Sequence, residues 1–510
     1  MRWALIAIWW CVIVQAPWAP AGDARAADPS AAAAGTATSA APEPPLAVTH
    51  HTLTLPGETL RYTATAGLLR LPDEAGTPKA ELFFVAYAQE PAPAPAMRPL
   101  TFAFNGGPGS SAIWLHLGAL GPIRVSVPPV GGAVPPPYTV GENADSWLPF
   151  TDLVFIDPVG TGYSRAVAGE DPKQFYGIEA DIRSIGTFIR QYLTRFQRWG
   201  SPLFLAGESY GTLRAVGLAA HLFHADGLSV NGLILLSQAL NFQAQTFTLE
   251  NDLPYVVFLP TYAATAWYHT HGPPASVREL RQQLVEVEQW ALTEYTVALA
   301  KGDRLDEAER EGLVGRLVRY TGLPATTITT HHGRIARELF RQELLRPQRR
   351  VVGLYDSRLT RAPARNLFAE PGLAEQIGPY VATWQAYVRQ TLQYAQDRPY
   401  AFLSDDVNRA WQWGSAQHGA VNVTPTLRAV VQHHPWLRVF LASGYYDLTT
   451  PYFAAQYVVD HLELEPEARH RITLATYAAG HQLYTDPAVL AQLTQDVAHF
   501  ISEALAARGR

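Results

Sequence analysis

Sulfur is nearly missing from this chain: 510 residues include 1 cysteine and 2 methionines. The cysteine is Cys11, in Ile8-Trp9-Trp10-Cys11. Beyond the first few turns, therefore, no disulfide or thiolate metal site can form, and stability must come from packing. Charge is also sparse, at 16% with a net charge of −6, and no run of Lys or Arg marks a nucleic-acid partner. No apolar stretch reaches the roughly 20 residues of a membrane span. Phosphate-cradling loops are absent too, since Gly160-Thr161-Gly162 lacks both the lysine and the glycine spacing of nucleotide sites. His269-Thr270-His271 precedes Pro273-Pro274 in what reads as a helix end, where side chains two apart diverge. Neither a metal nor a cofactor is expected.

What is present is a long globular composition, 48% hydrophobic, with room for a large core and an insertion. The 13 Trp and 23 Tyr suit a large core or an aromatic-lined site for an organic substrate. Arg2, the apolar residues 3–14 and Ala24-Arg25-Ala26 read as a signal peptide over residues 1–26. An Ala/Pro-rich leader follows over residues 27–47. The expected location is therefore exported, periplasmic or secreted, with no membrane span in the mature protein.

From residue 48 apolar and polar residues alternate, broken at Pro56-Gly57 and at residues 72–76, which predicts an antiparallel meander. The period then changes. Residues 100–104 and 153–156 are short continuous apolar runs, as in strands covered on both faces. Ile178, Ile182, Ile185, Ile189, Tyr192 and Phe196 recur at helical spacing. A strand over 203–206, a helix over 211–225 and a strand over 230–236 follow. Helical periodicity then dominates residues 240–414, where Ser276-Val277-Arg278-Glu279 reads as a capping box. Alternation resumes with strands over 437–442 and 471–477 and helices over 453–462 and 487–506. The expected class is α/β, a mostly parallel sheet with antiparallel N-terminal strands. Its core spans residues 48–239 and 415–510, with a helical cap insertion over 240–414.

Gly207-Glu208-Ser209-Tyr210-Gly211 is a G-x-S-x-G turn between a buried strand and a helix, a geometry that exposes a serine hydroxyl above the sheet. Such a hydroxyl needs a base, and the base an orienting carboxylate. Both follow in the order of an α/β-hydrolase, each on the loop after a strand: Asp447 after residues 437–442, and His481 after residues 471–477. Asn105-Gly106-Gly107-Pro108-Gly109-Ser110-Ser111, after another buried strand, can turn backbone amides toward a carbonyl oxygen. The amide after the nucleophile, that of Tyr210, is the expected second donor.

Those two motifs, with Asp157-Pro158-Val159-Gly160-Thr161-Gly162-Tyr163-Ser164 and Gly480-His481, resemble the serine carboxypeptidase family of the carboxypeptidase C or cathepsin A type. Residues 251–255 and 115–122 are similar to its bacterial branch. The resemblance runs from about residue 48 to the C-terminus. It implies hydrolysis of C-terminal residues of peptides through an acyl-enzyme, with Ser209, Asp447 and His481 as the triad. It also implies Gly107 and Tyr210 at the oxyanion, with Asn105 and Glu208 holding the substrate's terminal carboxylate. Glutamate can meet a carboxylate only if one of the two is protonated, which favours mildly acidic pH.

The chain departs from the family pattern in four places. Ala103 replaces a tryptophan, Ala119 replaces a second acid, Ser110 replaces a cysteine, and the Asp157 motif is one residue short before its proline. The first two leave open a serine esterase, amidase or acyltransferase on the same machinery. A catalytically silent binding protein on this fold is the alternative from another class. The expected partner is a peptide substrate, with a homodimer left open.

Overall fold

The computed structural model describes residues 44–127, 132–363, 370–414 and 420–506. The signal peptide, most of the leader and Cys11 lie outside them. Nine strands are neighbours in the central sheet: β1 Ala47–Leu55, β2 Glu58–Pro72, β3 Pro78–Glu90, β4 Leu100–Phe104, β5 Asp152–Ile156, β6 Leu203–Glu208, β7 Gly232–Leu236, β8 Arg438–Gly444 and β9 Ile472–Tyr477. Their spatial order is β1-β2-β3-β5-β4-β6-β7-β8-β9, and the short strand Arg165–Ala166 pairs with β3. The first three are antiparallel and β3 meets β5 antiparallel. From β5 to β9 every pairing is parallel.

Period two explains why the inner strands read as continuous apolar runs. In β6, Leu203 and Leu205 enter one core cluster, Phe204 and Ala206 the other. In β7 the split is Leu233 and Leu235 against Ile234 and Leu236. Both faces are covered, so neither can be polar. Helix α1 (Ile178–Arg195) and helix α2 (Tyr210–Asp226) fill one face with Ile185, Phe188, Ile189, Val216 and Leu222. The C-terminal helix Pro487–Ala506 covers the other with Leu490, Leu493, Val497 and Phe500. This is a three-layer α/β architecture.

The region after β7 is mainly helical, and its helices enter two apolar clusters. Helices α3 (Leu253–His271), α4 (Val277–Trp290) and α5 (Glu307–Thr321) build a third apolar cluster, which extends onto Tyr445, Tyr446 and Leu448 of the loop after β8. Helix α6 (Leu373–Ala386) and the chain from its end to Tyr400 instead place Tyr380, Trp384, Tyr387, Leu392 and Tyr400 in the cluster of the sheet. The residues expected as an insertion over 240–414 thus pack in two clusters: the first part shares one with the loop and helix after β8, and the last part shares the cluster of the sheet. Aromatic bulk is the reason, because Trp384 and Tyr400 find ring partners in Phe83 and Tyr163 of the sheet side.

Candidate active site

The strand-to-helix turn at Ser209 is as tight as its glycines suggest. Ser209 has φ 58° and ψ −126°, a conformation that costs a non-glycine residue about 1–3 kcal/mol. A side chain at Gly207 would collide with the Gly211 carbonyl. One at Gly106 would stand 2.5 Å from the Tyr210 amide nitrogen. These two glycines let the elbow and the Asn105–Ser111 loop touch backbone to backbone. Ser209 is half-buried, and its amide donates to Leu236 O at 2.9 Å. The Tyr210 amide, at the first position of α2, has no intrahelical acceptor. The Gly107 amide donates to nothing among the described residues. Two free amides thus lie on adjoining turns beside Ser209.

His481 and Asp447 are paired. His481 Nδ1 is 2.8 Å from Asp447 Oδ2, with the two side chains 3% and 0% exposed. Asp447 also accepts from Thr450 Oγ1 at 2.6 Å and from the amides of Thr449 and Thr450 at 2.7 and 2.9 Å. The His481 backbone is held too: its amide donates to Tyr355 O at 2.6 Å, and its carbonyl accepts from Ser237 Oγ at 2.6 Å. Burial on its own disfavours the imidazolium. The Asp447 charge, its hydrogen bond and Glu208 outweigh that and raise the His481 pKa above its ordinary value. His481 Nε2 and the Ser209 hydroxyl each lack a hydrogen-bond partner among the described residues, and they are not bonded to one another. Such contacts commonly tighten only with substrate bound.

Beside the serine lies a second buried group. Glu208 ends β6 at 3% exposure. Its Oε2 accepts from Asn105 Nδ2 and, at 2.9 Å, from the Tyr484 hydroxyl. Burial pushes its carboxyl up to about 7, against the pull of His481, Tyr484 and Asn105. Asn105 is oriented in turn, its Oδ1 accepting from the Leu115 amide at 3.1 Å and its carbonyl from Arg214 Nη1 at 2.7 Å. Arg214 is buried and pairs with Asp181 at 2.8 Å, while Tyr210 Oη donates to Asp181 at 3.2 Å. Ala103 and Ala119 are both fully buried in the main cluster and offer no polar atom.

The structure therefore brings Asp447 to His481, Asn105 to Glu208, and the Gly107 turn to the Tyr210 amide. Thr450, Tyr484, Tyr355 and the Asp181–Arg214 pair went unnoticed in the sequence. Only Thr450 carried a local signal, since Asp447-Leu448-Thr449-Thr450 has the spacing of a carboxylate capping its own turn. His269 Nε2 lies 2.7 Å from Ser357 O, a structural contact.

Residues 56–243, which carry the oxyanion loop and the elbow, match the family model described as serine carboxypeptidase. The likeness is to the serine carboxypeptidases. Serine carboxypeptidase-like 36 of Arabidopsis thaliana is 30% identical over 152 residues, 29% of this chain and 30% of that protein. Pheromone-processing carboxypeptidase KEX1 of Yarrowia lipolytica is 30% identical over 141 residues, 27% of this chain and 21% of that protein. The chain thus spans less than a third of the length of these curated relatives. Among solved structures, the prohormone-processing carboxypeptidase KEX1(Δ)P from Saccharomyces cerevisiae superposes with a TM-score of 0.55 at 16% identity, over 90% of this chain and 92% of that one. That likeness is one of fold, and the fold is the α/β-hydrolase fold.

Proposed function

We propose that the protein is a serine-type carboxypeptidase that removes C-terminal residues from peptides through an acyl-enzyme. The observation that carries this reading is the buried His481–Asp447 pair beside a serine held at positive φ on a strand-to-helix turn. Ser209 Oγ attacks the scissile carbonyl carbon and its proton passes to His481 Nε2. The resulting oxyanion faces the amides of Gly107 and Tyr210. Collapse breaks the C–N bond, and the imidazolium gives its proton to the departing amine. Water then repeats the sequence on the ester and frees Ser209. Asp447 fixes the ring and stabilises its charge.

Glu208, protonated below about pH 7 and supported by Asn105, receives the substrate's terminal carboxylate. Export follows from the signal peptide read over residues 1–26, and placement in the bacterial branch rests on the motifs at residues 115–122 and 251–255. The relatives compared above are plant and fungal.

An esterase, amidase or acyltransferase is favoured by one observation: where the family pattern has a tryptophan and a second acid, this chain has only the buried methyls of Ala103 and Ala119. Digestion of a peptide library read by mass spectrometry, with Ser209→Ala as control, separates the readings. Loss of single C-terminal residues is expected, with no loss in the variant. Internal cuts, or equal kcat/KM on a peptide and its C-terminal amide, would defeat the carboxypeptidase assignment.

A further inference from the structure

Glu208 has two carboxyl oxygens in unlike situations. Oε2 takes both available donors, Asn105 Nδ2 and the Tyr484 hydroxyl at 2.9 Å. Oε1 has no partner among the described residues. A carboxyl group that accepts twice at one oxygen keeps its proton on the other, because a protonated Oε2 would have to face two further donors. The proton of the acid form therefore sits on Oε1, and Oε1 is the atom left to bond a ligand.

Asn105 cannot set this arrangement alone. Its amide is one donor on the strand side, fixed by the Leu115 amide and by Arg214. The second donor comes from the loop beyond His481, where Tyr484 is 1% exposed. The space for that ring exists because residue 118 is glycine: a side chain there would run into the Tyr484 ring and the Tyr380 hydroxyl. The loop is tied down further by Arg124 Nη2, which donates to Tyr484 O at 2.8 Å.

We propose that Tyr484 is a positioning residue for substrate recognition: its hydroxyl, with Asn105, pins Glu208 Oε2 so that the Oε1 hydroxyl points at the terminal carboxylate of a peptide. The inference rests on the carboxypeptidase reading and adds to it a residue on the histidine loop. It couples two parts of the site, since the loop that carries the base also orients the acid that grips the substrate. His481, Asp447, Tyr484, Tyr355 and Tyr380 are the titratable groups whose charges couple to Glu208, and Asn105 is its neutral partner. The phenol stabilises the ionised form of Glu208, so removing it makes Glu208 a weaker acid.

Tyr484→Phe keeps the ring and deletes one oxygen. Expected for a blocked dipeptide with a free C-terminus is a KM raised about tenfold with kcat changed less than about twofold. The alkaline limb of kcat/KM moves up by about one pH unit, because the carboxyl stays protonated longer. Neither effect is expected on the dipeptide amide, nor in a Glu208→Gln background. Tyr484→Met, which fills the space without a hydroxyl, gives the same pattern and guards against a packing artefact. A variant that impairs turnover of acid and amide alike, with the limb unmoved, would overturn the proposal. Labelling by a fluorophosphonate probe separates the two failures. If Ser209 in the wild type is not labelled, the carboxypeptidase reading has failed; if it is labelled and Tyr484→Phe behaves as wild type, the positioning role has failed.

Discussion

Asp447 accepts from four donors, yet only one of them belongs to the base. The two amides and the threonine hydroxyl fix the carboxylate before the imidazole meets it, so the ring is held in one tautomer with Nε2 free. Glu208, by contrast, is held by neutral donors and shares its surroundings with the charge of Asp447, so burial wins and its carboxyl rises to about 7. Glu208 therefore keeps its proton up to about pH 7 close to the Asp447–His481 pair. A bell-shaped profile follows for peptides with a free C-terminus. On the acid side kcat/KM falls as His481 gains its proton. On the alkaline side KM rises as Glu208 loses its own near pH 7. Glu208→Gln cannot ionise, so its profile keeps the acid limb and loses the alkaline one. The pH dependence of KM on a peptide and on its amide checks this, and an unchanged alkaline limb would refute it.

Three elements meet at Arg214, which bonds Asp181 of α1 and the Asn105 carbonyl at the end of β4 from within α2. The pair is 1% and 3% exposed, so each charge depends on the other. Removing one member leaves the other buried and uncompensated, which costs about 3–5 kcal/mol. Arg214→Met should lose that much in urea unfolding, and Arg214→Met with Asp181→Leu should recover most of it. A single variant as stable as wild type would show that the pair does not tie these elements. Nothing in the sequence signals such a pair, because Asp181 and Arg214 are 33 residues apart on separate helices. The same limit explains which elements were legible. Helix α1 shows its apolar stripe in sequence because it has one wet face. Helix α3 does not: Val256 through Ala266 are all buried and Pro260 lies inside it, so periodicity vanishes although the chain does turn at His271 before Pro273. The N-cap at Ser276 was readable because capping is local: Ser276 Oγ accepts from the Glu279 amide at 3.1 Å, whereas the Glu279 carboxylate accepts from the Ala275 amide, so the reciprocal half of the expected capping box is not made.

At the scale of the whole molecule the order of Ser209, Asp447 and His481 could be read because each follows a strand: β6 and β8 are buried on both faces, and β9, at the sheet edge, is only partly buried. The partners Tyr484 and Thr450 gain meaning only once the loops are folded together. The same burial that makes the core also sets how the molecule responds to pH. Asp157 is buried at 3% exposure, Oδ1 accepting from the Ala112 amide at 2.8 Å and Oδ2 from nothing among the described residues. Burial pushes it up to about 7, like Glu208, against the pull of the Ala112 amide, Tyr400 and Arg165. For an acid whose pKa is higher folded than unfolded, the stabilisation is complete below the unfolded value, about 4. It is lost as pH rises through about 7, because the unfolded chain ionises first. His116 works the other way. Burial lowers it to about 3, so its contribution is complete above its ordinary pKa and is lost as pH falls through the acid range. The molecule should therefore be most stable at mildly acidic pH. Asp157→Asn isolates one term: the variant cannot ionise there, so its melting temperature should fall less than that of wild type between about pH 5 and pH 8, by an amount equivalent to a few kcal/mol. Parallel curves for the two proteins would mean that Asp157 ionises as readily in the fold as in the open chain, and that its burial carries no such cost.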